Sequence, residues 1–164
     1  MVYIEMTVGR QHARTHARLN AWLMGFESRT ANVEVLDNVT VRLGEDDLQP
    51  DALLRVVEGG TSAISDDDCV VGPPELVAEV AVSSRSYDRH KKLEVYRRGG
   101  VPEYICWQAF NGVIDWWTLE GGLYRPIEPD SAGVLASRVF PGLRLDSRAM
   151  IAGDMRAVLG LLGQ

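Results

Sequence analysis

Leu76-Val77-Ala78-Glu79-Val80-Ala81-Val82 is apolar at every position but one. A continuous apolar run of this length, set off by Pro73-Pro74 before it and Ser83-Ser84 after it, predicts a central strand covered on both faces. Its one carboxylate cannot stay there as an isolated charge, because an ion taken out of water alone is very costly. Glu79 therefore needs a partner, a cation or a proton.

The flanks of this strand carry groups that could meet that need. Upstream, Pro50 fixes the chain before Asp51, and residues 53–57 continue as another strand. Downstream, Ser83 and Ser84 can cap a helix that runs to about Arg98 and stops at Gly99-Gly100. On that helix Asp88, Lys92 and Tyr96 recur every four residues and share a face, flanked by Leu93 and Val95. Asp51, Glu79 and Lys92 make a minimal metal-nuclease set. Phosphodiester hydrolysis needs an attacking water and stabilisation of charge on the phosphoryl and leaving oxygens. Mg²⁺ provides both when carboxylates hold it and leave positions open for water and phosphate. On this reading Asp51 and Glu79 are metal ligands, with the Val80 carbonyl a candidate third. Lys92 orients or helps deprotonate the water, or balances phosphate charge. Residue types alone leave an alternative open, in which Glu79 salt-bridges a neighbouring strand or Lys92 and holds no metal.

Elsewhere the patterns are those of a scaffold. Residues 2–8 suit a short strand, broken by Gly9. Ala13, Ala17, Leu19, Ala21, Trp22 and Leu23 predict a helix over residues 10–24, with Gly25 as its stop. His12 and His16 stand at i and i+4 and could face one metal. The glutamate that a zincin carries after its first histidine is Ala13 here, so two ordinary helix histidines are the simpler reading. Residues 33–36 and 39–43 predict two strands joined through Asp37-Asn38, a pair that tolerates positive φ. Residues 44–49 and 59–68 read as loops, the second with Asp66-Asp67-Asp68 as a solvated acidic cluster. Residues 101–107 form a strand, and residues 112–119 and 121–127 a hairpin through Glu120-Gly121 that sends Trp116 and Trp117 to opposite faces. Residues 129–145 read as loop with a short strand at 135–139. Residues 147–162 have helical spacing and could cap an open edge or join a dimer interface.

Composition sets the outer bounds. At 164 residues and 46% apolar content, the chain suits one domain with a real core. No apolar run approaches the roughly 18 residues of a membrane span, and the N-terminus does not look like a secretory signal. Cys69 and Cys106 are far apart and outside any CxxC spacing, which points to reduced thiols and a cytoplasmic location. A net charge of −6 argues against a general nucleic-acid coat but allows DNA to be met at one local basic patch. Arg85, Arg89, Lys91, Lys92, Arg97 and Arg98 are the one dense cationic group the sequence shows, and a solvated helix face is an equal reading of it.

Several segments resemble, in their order and spacing, the Uma2 family, which carries a restriction-endonuclease label and is similar to the PD-(D/E)XK nuclease superfamily. They are Gln49-Pro50-Asp51, Gly72-Pro73-Pro74-Glu75 running into Leu76-Val77-Ala78-Glu79-Val80, Ser83-Ser84, Asp88-Arg89-His90-Lys91-Lys92-Leu93-Glu94-Val95-Tyr96, Gly100-Val101-Pro102-Glu103-Tyr104-Ile105, and Pro141-Gly142-Leu143. The likeness spans residues 10–145. It implies an α/β (α+β) fold, a restriction-endonuclease-like mixed β-sheet flanked by helices with added β-hairpins, in one domain over residues 1–164. It also implies a Mg²⁺-dependent endonuclease acting on DNA, with Mn²⁺ as a substitute, and carries Asp51 and Glu79 over as metal ligands. Small nucleases that cut two strands often pair, so a homodimer is expected.

Two departures qualify the resemblance. The superfamily lysine usually lies two residues after the second acid, where this chain has Ala81. In Uma2-like chains a helix lysine takes its place. Lys92 matches that position, with Lys91 as the alternative if the helix is rotated. Family members also begin with a further helix and strand that supply another acid, and this chain starts beyond them, at Met1-Val2-Tyr3-Ile4-Glu5. Either the start is truncated, or Glu5 or a partner subunit compensates. The other outcome is a catalytically impaired nuclease-like module that binds nucleic acid or a protein partner.

Overall fold

The computed structural model describes residues 8–83 and 89–163. The chain opens on helix α1 (Arg10–Glu27), followed by strands β1 (Val33–Asp37), β2 (Val41–Leu43), β3 (Asp46–Leu48) and β4 (Ala52–Val56). Next come β5 (Ala63–Ile64), β6 (Val70–Val71), β7 (Leu76–Ala81), helix α2 (Arg89–Arg98) and β8 (Glu103–Gln108). The hairpin β9 (Val113–Glu120) and β10 (Leu123–Pro126) precedes β11 (Val134–Ala136), β12 (Arg144–Asp146), α3 (Ser147–Ala152) and α4 (Met155–Gly160).

The main sheet has six strands in the order β1-β4-β7-β8-β9-β10. Only β7 and β8 run parallel; every other neighbour is antiparallel. The α2 connection makes that parallel pair possible, since parallel strands need a crossover. The expected mixed sheet flanked by helices is present, and β7 is one of its two central strands.

Strand periodicity explains why the run at Leu76 has no polar face. Leu76, Ala78 and Val80 enter a core built with Leu19, Trp22, Leu23 and Phe26 of α1, and with Phe140, Leu143, Met150 and Val158 from the C-terminal part. Val77 enters a second core, where α2 contributes Tyr96 and the small sheet β3-β2-β6-β5 contributes Val41, Leu43 and Val70. Trp116 packs in the first core and Trp117 against the second, on opposite faces as their alternation requires.

Several expectations are corrected. Residues 33–43 are not a hairpin: β1 pairs with β4, and β2 pairs with β3 and β6 in another sheet. Asn38 does take a positive φ of 53°, but it serves a crossing between sheets. Residues 44–49 hold β3, and residues 59–68 hold β5. Gly25 does not stop α1, which runs on to Glu27. A Cβ at Gly25 would stand 2.9 Å from Leu159 Cδ2, so this glycine lets α4 approach the helix. The C-terminal helix is two short ones, divided at Gly153 (φ 80°) and restarted by the Asp154 side chain, which accepts the Ala157 N–H. The strand expected at residues 2–8 lies mostly outside the described residues, as do Glu5, Arg85 and Asp88. No helix among the described residues is long and apolar enough to cross a membrane, and both cysteines are free thiols.

Candidate active site

Asp51 ends the segment before β4, and Glu79 lies in the C-terminal half of β7. The antiparallel register pairs Leu54 with Leu76, Leu53 with Val77 and Ala52 with Ala78. Continued by one residue, it sets Asp51 across from Glu79. Directly opposed residues put their side chains on one face, with Cβ atoms about 4.5–5.5 Å apart. Asp51 is held at this point by its own Oδ2, which accepts the Val80 N–H at 2.7 Å. The residue is about one-fifth exposed, so its second oxygen opens toward the surface.

Glu79 is buried, and both of its oxygens are engaged. Oε1 accepts the Tyr96 hydroxyl proton at 2.7 Å, and Oε2 lies 3.0 Å from Lys92 Nζ. Tyr96 and Lys92 are one turn apart on α2, so a single helical face delivers both. Burial raises the proton affinity of Glu79 above the ordinary carboxylate value. Lys92 and the Tyr96 hydrogen bond pull it back down, and the negative charge of Asp51 pushes it up again. Tyr96 is held firmly as a neutral hydrogen-bond donor by its burial and by the Glu79 charge. The ion pair that the sequence left open as an alternative is thus present, with Lys92 nearly half exposed at its outer end.

Sequence reasoning set aside two residues that the fold brings to Asp51. His12 Nε2 lies 3.6 Å from Asp51 Oδ1. His16 Nε2 lies 2.7 Å from the Asp51 backbone oxygen and 3.3 Å from Asp37 Oδ1. A carbonyl oxygen only accepts, so this nitrogen of His16 carries the proton. Asn20, one turn on, donates to Asp37 Oδ2 at 3.1 Å. The readable signal was the i, i+4, i+8 row of His12, His16 and Asn20, a polar edge running beside the stripe of Leu19, Leu23 and Phe26 that enters the core. The fold turns both histidines to Asp51 and Asp37, and among the described residues no group of three or more His, Cys, Asp or Glu converges to hold a metal.

Three buried glutamates on or just before the central strands show what is particular to Glu79. Glu75 accepts the N–H groups of Val56 and Thr61 and the Thr61 hydroxyl. Glu103 accepts from Trp116 Nε1, the Ser137 hydroxyl and the N–H groups of Arg138 and Val139. Both are saturated by neutral donors and tie loops to the sheet. Glu79 alone faces a lysine and a second carboxylate.

Asp51, part-exposed, and Glu79, buried, are the carboxylates here that could hold a hard divalent cation, which typically takes one or two carboxylates and keeps several waters. Asp51 Oδ1 is free of any short hydrogen bond among the described residues, and Lys92 can swing away from Glu79 Oε2 because it is half in solvent.

A family model described as "Uma2: Putative restriction endonuclease" matches residues 2–148. No curated protein matches the chain. A crystal structure of a "putative nuclease belonging to DUF820" from Anabaena variabilis superposes with a TM-score of 0.68 at 11% identity, covering 92% of this chain and 85% of that one. At that identity the likeness establishes a common fold. With the family match extending over most of its length, the chain belongs to the Uma2 family of restriction-endonuclease-like proteins.

Proposed function

We propose that this protein is a Mg²⁺-dependent endonuclease that hydrolyses phosphodiester bonds in DNA, with Mn²⁺ able to replace Mg²⁺. The observation that carries the reading is the β4–β7 register, which opposes Asp51 and Glu79 on one face with Lys92 reaching the latter at 3.0 Å. Asp51 Oδ1 and the Glu79 carboxylate are the ligands. When bound, the ion supplies positive charge to the phosphoryl oxygens and makes a water easier to deprotonate. Lys92 leaves Glu79 for the phosphate and balances charge as it develops there. His12, beside the same Asp51 oxygen, keeps that carboxylate turned toward the ion. His16 holds the Asp51 backbone from below. Tyr96 fixes one Glu79 oxygen so that the other is presented. Cutting both strands of a duplex takes two such sites, and a second copy of the chain is the simplest source of the other. The free thiols accord with a cytoplasmic setting.

Divalent-dependent nicking of a supercoiled plasmid tests the assignment. Wild type should nick with Mg²⁺ or Mn²⁺ and fall silent with chelator, and Asp51→Asn or Lys92→Ala should abolish nicking. Nicking that survives both substitutions would remove this site from consideration. A second reading, a nuclease-like module that binds nucleic acid without cutting, is favoured by one observation: Lys92 already neutralises Glu79. Salt-sensitive DNA binding with no cleavage in any divalent ion would select it.

A further inference from the structure

Helix α1 carries a feature at odds with its own stability. Arg10, Arg14 and Arg18 stand at i, i+4 and i+8 on one face. Like charges at this spacing repel, by about 0.2–0.5 kcal/mol per pair. The first turn of the helix also contains no acidic residue, although the N-terminal end of a helix dipole favours one. Burial and the neighbouring charges of Arg14 and Arg10 lower the proton affinity of Arg18, the signature of cations stacked without compensation. Among the described residues none of the three has an ion-pair partner, in a chain whose net charge is −6.

The three arginines line one groove of about 350 Å³, together with Thr15, Trp107 and Gly112. Arg18 is braced there: its guanidinium lies against Gly153, where any Cβ would collide with it and where φ is +80°. The place in the fold matters as much as the charge. Trp107 is the register partner of Val80, the residue whose N–H fixes Asp51. Val80 and Trp107 both turn to the first core, and Glu79 alternates to the face of α2, so the groove lies on the α1 side of the sheet, round its end from the Glu79 carboxylate. Eight residues of helix rise about 12 Å, which covers three to four nucleotides of duplex at 3.4 Å each.

We propose that Arg10, Arg14 and Arg18 form a track for the phosphodiester backbone of duplex DNA, gripping the duplex on the flank of α1 away from the histidines that meet Asp51. The proposal rests on the nuclease reading above and names residues that neither the family match nor the basic α2 segment supplies. The three guanidiniums contact consecutive phosphates and carry no base readout, so they set affinity and register without sequence preference.

The test measures binding apart from cleavage. Binding of a fluorescent duplex is titrated over a salt series without divalent ions, for wild type, for the triple variant Arg10→Gln/Arg14→Gln/Arg18→Gln, for Arg14→Gln alone, and for Arg97→Gln/Arg98→Gln as a control on α2. Each lost phosphate contact should flatten the log–log salt dependence by about 0.9. The triple variant should therefore lose between 2 and 3 units of slope and on the order of 100-fold in affinity near 0.1 M salt, and Arg14→Gln about one unit. Melting temperatures no lower than wild type would show the folds are intact. An unchanged slope in the variants, a wild type that binds no DNA at low salt, or equal displacement of the duplex by polyglutamate or by duplex RNA would each overturn the proposal. Plasmid nicking run in parallel separates the two readings. If the triple variant loses slope while Asp51→Asn still nicks like wild type, the track stands and the active-site assignment falls. If Asp51→Asn is silent and the triple variant binds and nicks unchanged, the reverse holds.

Discussion

Asp51 and Glu79 are bound differently, and the difference yields separate predictions. In Asp51→Asn the amide oxygen still accepts the Val80 N–H seen at 2.7 Å, so the fold should hold while nicking falls by at least about 10²-fold. In the proposed site His12 acts through Asp51. His12→Ala should cost about 10- to 100-fold in nicking, with a raised Mn²⁺ requirement and an unchanged melting temperature. A loss of rate with no change in metal dependence would contradict that positioning role. Glu79 pays for its burial. Its carboxyl group holds its proton more tightly in the folded chain than the ordinary value of 4.5. As pH rises from there through the raised folded value, the folded state binds more protons than the unfolded one, and stability falls. Glu79→Gln keeps a Tyr96 acceptor and removes this dependence. Without metal, wild type should therefore lose stability relative to Glu79→Gln as pH climbs from the ordinary value of 4.5 through the raised folded one. Denaturant unfolding at both ends checks it, and a gap independent of pH would show that Lys92 compensates the charge fully.

At the level of elements, three local readings hold. The apolar run at Leu76, the α1 period and the Trp116-Trp117 alternation each follow from the residues in one segment. The misread pieces required a choice between partners. Residues 33–43 carry local turn chemistry at Asp37-Asn38, yet β1 gains a five-residue ladder with β4, which outweighs a short hairpin. Gly25 was read as a helix stop because glycine ends many helices. Its reason is a neighbour more than a hundred residues on, the Leu159 side chain. Gly25→Val should leave α1 helical and cost about 1–3 kcal/mol by pushing α4 away. Equilibrium unfolding measures it, and a neutral result would mean that Leu159 rearranges freely.

Over the whole molecule, the fold was more legible than the site. A strand buried on both faces requires layers on both sides, and one apolar run was enough to imply them. The site depends on non-local facts: a register that opposes Asp51 and Glu79, and a first helix laid so that His12 and His16 meet Asp51 from more than thirty residues away. Lys92 was the exception, because Tyr96 one turn later marks the face it shares. The arginine row on α1 escaped notice because its density is low in sequence and becomes high only along a helix face. A crystal soaked in Mn²⁺ and measured at the manganese absorption edge puts the central claim to the most direct test. The account predicts one anomalous peak bridging Asp51 Oδ1 and the Glu79 carboxylate, with Lys92 displaced from Oε2. Millimolar Mn²⁺ that leaves no peak there, with the Glu79–Lys92 pair still closed, would contradict it.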